Sequence, residues 1–80
     1  MERDYVQSSN IKSVGYDSNT STLEVEFNSG AVWQYYDVLE NTYYEMKSAP
    51  SVGKYFNANI KGQHSEGQVS DPRAGPRNGR

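Results

Sequence analysis

The sequence predicts a small α+β domain: a three-stranded antiparallel β-meander packed against two C-terminal helices, with a disordered tail behind it. Three observations carry that expectation. Residues Thr22 to Phe27 alternate strictly between polar and apolar, the period of a half-buried strand. After Asp37 the apolar residues switch to the spacing of a helix face. After Gly62 the composition changes again, and Gln63 to Arg80 holds one Val, three Gly and two Pro among scattered charges. The expected domain is therefore 8–62 and the expected tail 63–80, which has too little apolar area to offset the entropy of ordering it.

The elements follow in order. Residues 1–9 are polar and read as frayed. In Ile11 to Asp17, Val14 and Tyr16 share one strand face. Ser18-Asn19-Thr20-Ser21 is a run of short polar residues that bond their own backbone, hence a turn. In the next strand Leu23, Val25 and Phe27 face the core, while Thr22, Glu24 and Glu26 face water. Asn28-Ser29-Gly30 then fits a three-residue hairpin loop with Gly30 in the left-handed conformation. That loop sets Phe27 opposite Ala31, Val25 opposite Trp33 and Leu23 opposite Tyr35. A two-residue loop would pair Glu24 with Tyr35, so the first register is the one that gathers the aromatics on the core face.

Asp37 reads as the N-cap of the first helix, with Glu40 completing a capping box. Leu39, Thr42, Tyr43 and Met46 form its apolar face. Pro50 ends it, and Ser51 caps a second helix whose apolar face is Val52, Tyr55, Phe56 and Ile60. Gly53 weakens that second helix by roughly 1 kcal/mol relative to Ala and is expected to allow close packing against the first.

Composition limits the functions on offer. The chain has no Cys, so it carries neither disulfides nor a thiolate metal site, and a domain this small without staples points to the cytoplasm. No apolar run is long enough to span a membrane. Residues 1–62 hold five Lys or Arg against eight Asp or Glu. Such a body does not grip nucleic acid by bulk charge, so any nucleic-acid contact must rest on a local cluster. His64 is the sole histidine and stands in a polar stretch without a partner, so it reads as solvated. Glu24 and Glu26 read as the wet side of a sheet, not as a cation site. No metal site, catalytic constellation, cofactor or phosphate-loop motif is present in the pattern, and the domain is expected not to be an enzyme.

Several segments together resemble the KTSC domain, a family named after the C-terminus of some lysyl-tRNA synthetases that also occurs as a stand-alone protein in bacteria and phages. They are Ser9 to Asp17, Leu23-x-Val25-x-Phe27-x-x-Gly30, Trp33-Gln34-Tyr35, and Ser48 to Asn57 with Ile60-Lys61. Trp33 stands where the family commonly has Tyr, and Leu39 where Pro is common. The resemblance implies a small binding module, with RNA or a nucleotide as the partner.

Trp33 and Tyr35 admit two readings, a base-stacking platform or part of the core, and the register argument favours the core. The residues left for a ligand surface are the aromatics on the opposite faces of their elements, Tyr36 and Tyr44. With them come the lysines near the helices, Lys47, Lys54 and Lys61, and the polar pair Asn57 and Asn59. A second reading stays open: a protein-interaction module or homo-oligomer with no nucleic-acid role, because a three-stranded sheet leaves open edges.

Overall fold

The computed structural model describes residues 2–70, and the remainder of the expected tail, residues 71–80, lies outside them. The chain order is β1 (Arg3–Tyr5), β2 (Ile11–Asp17), β3 (Thr22–Phe27), β4 (Val32–Tyr35), α1 (Glu40–Ser48), α2 (Val52–Asn59) and β5 (Glu66–Ser70). The strands form one antiparallel sheet in the order β1-β2-β3-β4-β5. Both helices lie on one face of it, and the other face is open.

The sheet thus has five strands where three were expected. The added strands are residues that read as frayed (β1) and as disordered tail (β5). Neither shows an apolar alternation, because each lies on an edge. They gain order from the backbone hydrogen-bonding groups that β2 and β4 would otherwise leave unpaired.

The central hairpin has the register that Gly30 demands. Gly30 adopts φ 97°, the Phe27 amide donates to the Ala31 carbonyl at 2.9 Å, and Leu23 and Val25 stand opposite Tyr35 and Trp33. Leu23, Val25, Ala31 and Tyr35 are buried, and Phe27 and Trp33 pack at the margin of the core. In β2, Lys12 is an extra residue between the pairs Ile11–Phe27 and Ser13–Glu26. This bulge turns Ile11 onto the same buried face as Val14, which strict alternation forbids.

The start of α1 departs from expectation. Asp37 is not its N-cap; Leu39 is, without a side-chain cap, and Asp37 instead adopts φ 58°. That left-handed turn, which Asp tolerates, drives Val38 into the core. Val38 is fully buried, its amide bonds the Ser21 carbonyl at 2.9 Å, and its carbonyl accepts the Tyr16 hydroxyl. Leu39, expected on the apolar face, is 69% exposed. Tyr43 and Met46 are buried as their spacing implies, with the Tyr43 ring stacked 5.2 Å from Tyr16.

Ala49 is extended before Pro50, which stops α1, and Ser51 caps α2 by accepting the Lys54 amide at 3.3 Å. Val52, Phe56 and Ile60 are buried. Gly53 packs against the β1–β2 connection and not against α1: a Cβ there would lie 2.8 Å from Asn10 Oδ1 and 3.0 Å from Ser8 Oγ. Both are ends of mobile side chains. At Gly15 a Cβ would strike the backbone carbonyl of Glu2 and lie 2.8 Å from Arg3 Cγ. Gly15→Ala is therefore expected to push β1 off the sheet at a cost of about 1–3 kcal/mol. Gly53→Ala should stay within about 1 kcal/mol of the native protein, helix propensity offsetting the adjustment. Urea unfolding of the two variants checks the contrast.

Tyr35 ties β5 to the core. Burial, then the charge of Glu66 opposite it and a hydrogen bond to that carboxylate, push its hydroxyl up to about 12. A raised pKa in the folded state means stability is full below the ordinary tyrosine value near 10 and falls as pH rises toward about 12. An absorbance titration should show the Tyr35 ionisation displaced furthest upward, above those of Tyr43 and Tyr55, which are also raised, and Glu66→Gln should bring it to lower pH.

Candidate nucleic-acid interface

The seven residues singled out in the sequence do not form one surface. Tyr36 follows β4 and lies on the open face of the sheet. Its hydroxyl donates to Gln34 Oε1 at 3.4 Å and covers Gly67 of β5. Gln34 in turn donates to Glu24 Oε1 at 3.0 Å, and Arg3 Nη1 lies 3.3 Å from Glu24 Oε2. Arg3 reaches Glu24 across Gly15, where no side chain stands in the way. A polar row thus crosses the open face from β1 to β5. Glu26, beside it, accepts the Ser13 hydroxyl at 2.8 Å. Glu24 and Glu26 are occupied by their neighbours, and among the described residues no three His, Asp or Glu side chains are placed to hold a metal ion.

His64 is half-buried, with Nδ1 3.0 Å from the Tyr36 carbonyl. The Tyr36 amide donates to the Ser65 carbonyl at 2.9 Å. The histidine therefore fastens the segment between α2 and β5, where a solvated side chain was expected.

The other six residues lie on the helical side. Tyr44 is 54% exposed, with its ring 5.5 Å from that of Tyr43. Lys47, one turn on, is committed: its Nζ is 2.6 Å from Asp4 Oδ2 and 5.1 Å from the centre of the Tyr43 ring. The hydrogen bond that Lys47 donates to Asp4 is the main cause that raises its pKa, so this side chain stays charged throughout the neutral range. Asn59 donates to the Tyr55 carbonyl at 3.1 Å, which draws it back toward its own helix. Tyr55 donates to Glu45 Oε1 at 2.8 Å, linking the two helices at their exposed rim.

Lys54, Asn57 and Lys61 remain. Lys54 and Asn57, three residues apart, are neighbours on the exposed surface of α2, and Lys61 is exposed in the turn just past its C-cap Ile60. Neither lysine has a carboxylate partner among the described residues. Lys54 also sits in the first turn of α2, where no acidic residue offsets the positive end of the helix dipole. The two lysines thus make a local positive surface on a body whose net charge is negative. A local positive surface of this kind suits a polyanion. No helix among these residues is long and apolar enough to cross a membrane.

Comparison with known proteins gives the family. Residues 7–64 match the KTSC domain family. The chain is 42% identical over 64 residues to an uncharacterized protein of Stutzerimonas stutzeri (strain A1501), a match covering 80% of this chain and 90% of that protein. It is 43% identical over 60 residues to the lysine–tRNA ligase of Trichormus variabilis (strain ATCC 29413 / PCC 7937), covering 75% of this chain but only 11% of the ligase. The crystal structure of a KTSC domain protein from Yersinia pestis matches it with a TM-score of 0.83 at 35% identity, over 86% of this chain and 97% of that one. In sequence and in fold, this chain belongs to the KTSC domain family.

Proposed function

We propose that this domain is a non-catalytic RNA-binding module that holds the phosphate backbone of a single strand along α2. The observation that carries the proposal is the set of Lys54, Asn57 and Lys61: a cation and an amide on the exposed surface of α2 and a second cation in the turn that follows it, neither lysine paired with a carboxylate among the described residues. Such lysines neutralise phosphates, and an amide near them reads a polar base edge. Tyr44 on α1 adds an exposed ring for stacking. The presence of a closely similar segment in lysine–tRNA ligases, proteins named for an RNA substrate, supports the same partner class.

Binding of this kind is salt-dependent. On single strands each neutralised phosphate adds about 0.7 to the slope of log affinity against log salt. The double variant Lys54→Ala/Lys61→Ala is therefore expected to bind more weakly and to lower the slope by about 1.4. Fluorescence anisotropy with a labelled single-stranded RNA pool, from low to physiological salt, makes the measurement. Equal affinity and slope for the two proteins would refute the proposal.

A further inference from the structure

We infer that Asp4 holds the place of an RNA phosphate on Lys47, so that the N-terminal strand masks a third cation, in the last turn of α1. This rests on the RNA-binding reading above and specifies how that surface is regulated.

Tyr44 and Lys47 are three residues apart on α1, which makes them neighbours on the helix surface. An exposed aromatic beside a lysine is the pair that stacks a base and holds its phosphate. Here the lysine is taken. Its Nζ lies 2.6 Å from Asp4 Oδ2, the short charge-assisted contact that an ammonium also makes with a phosphate oxygen. The lysine is meanwhile held over the Tyr43 ring, so its position does not depend on Asp4 alone.

Strand β1, which delivers the carboxylate, is a short edge strand held by its pairing with β2 and by the Arg3–Glu24 contact. It is three residues long and none of its side chains is buried. The Asp4 side chain is 64% exposed and Tyr5 is 79% exposed. An exposed ion pair of this kind contributes little stability. The helices that carry Lys47 and Lys54 are joined by a three-residue connection and by the Tyr55–Glu45 hydrogen bond, so a strand long enough to run across both competes with Asp4 for Lys47. Asp4 thus behaves as an internal competitor that sets a threshold for binding.

The test is a double-mutant cycle on RNA affinity at low salt. Asp4→Asn is expected to tighten binding about two- to fivefold, the range of an exposed ion pair. Asp4→Asn should gain nothing in the Lys47→Ala background, and Lys47→Ala should weaken binding less in the native background than in the Asp4→Asn background. Asp4→Glu, which keeps the charge, should behave as the native protein. Thermal melts of each variant establish that it is folded. A gain from Asp4→Asn that persists without Lys47 would mean bulk charge and overturn the inference, as would no gain in a native background that binds RNA. Absence of RNA binding by both the native protein and Asp4→Asn would remove the RNA reading itself and this inference with it.

Discussion

Phe56→Ala is expected to leave the domain largely unfolded, with a loss of about 3–5 kcal/mol. That is comparable to the whole stability that a core of this size supplies, about 3–5 kcal/mol. Phe56 is where the helices meet the sheet. Its ring makes edge contacts with Tyr35 at 5.1 Å and Phe27 at 5.7 Å between centroids, and only 1% of it is exposed. Truncation removes those contacts together with the apolar area and leaves a cavity between α2 and β3–β4 that neither layer can close. Circular dichroism at two wavelengths with a urea titration would read the loss. Retention of a cooperative transition at the native midpoint would mean that the core is not centred on this ring.

The second large effect separates two adjacent residues. Val38→Ala is expected to cost about 1.5–3 kcal/mol, the value of a fully buried side chain of this size. Leu39→Ala should fall within about 0.5 kcal/mol of the native protein, as surface changes do. The larger hydrophobe is the dispensable one because Asp37 turns left-handed and points Val38 inward, between Tyr16 and the β2–β3 turn. Chemical denaturation of both variants tests the order. The reverse order would match the helix periodicity and contradict the turn at Asp37.

That pair shows where sequence reasoning stops. Periodicity assigns Leu39 to the apolar face because it counts residues along an ideal helix, whereas the helix begins one residue later, at Glu40. The meander was legible because Gly30 fixes the loop and the aromatics then have one register that buries them together. The edge strands were not. Arg3-Asp4-Tyr5 and Glu66 to Ser70 carry no apolar alternation, since what orders them is a neighbour's unpaired backbone. Lys54, Asn57 and Lys61 were singled out as residue types near the helices, and the structure leaves all three exposed. The state of Lys47 could not, for its partner is 43 residues away in a segment that looked frayed. Tyr36 was rightly taken as exposed, but β4 turns it to the face opposite the helices, away from the lysines it was grouped with.

The open face of the sheet also explains why an acidic body and a cationic helix coexist. Glu24 and Glu26 are paired along the polar row with Arg3, Gln34 and Ser13. The charges left unpaired on α2 are then free to act locally, at distances shorter than the roughly 10 Å screening length of 0.1 M salt.

The most direct test of this account is a titration of the isotope-labelled protein with short single-stranded RNA at low salt, followed by amide chemical shifts. The expected result is a contiguous set of shifts at Lys54, Asn57 and Lys61, extending to Tyr44, that fades as salt rises. No shifts at any RNA concentration, or shifts confined to Arg3, Gln34 and Tyr36 on the open face of the sheet, would contradict it.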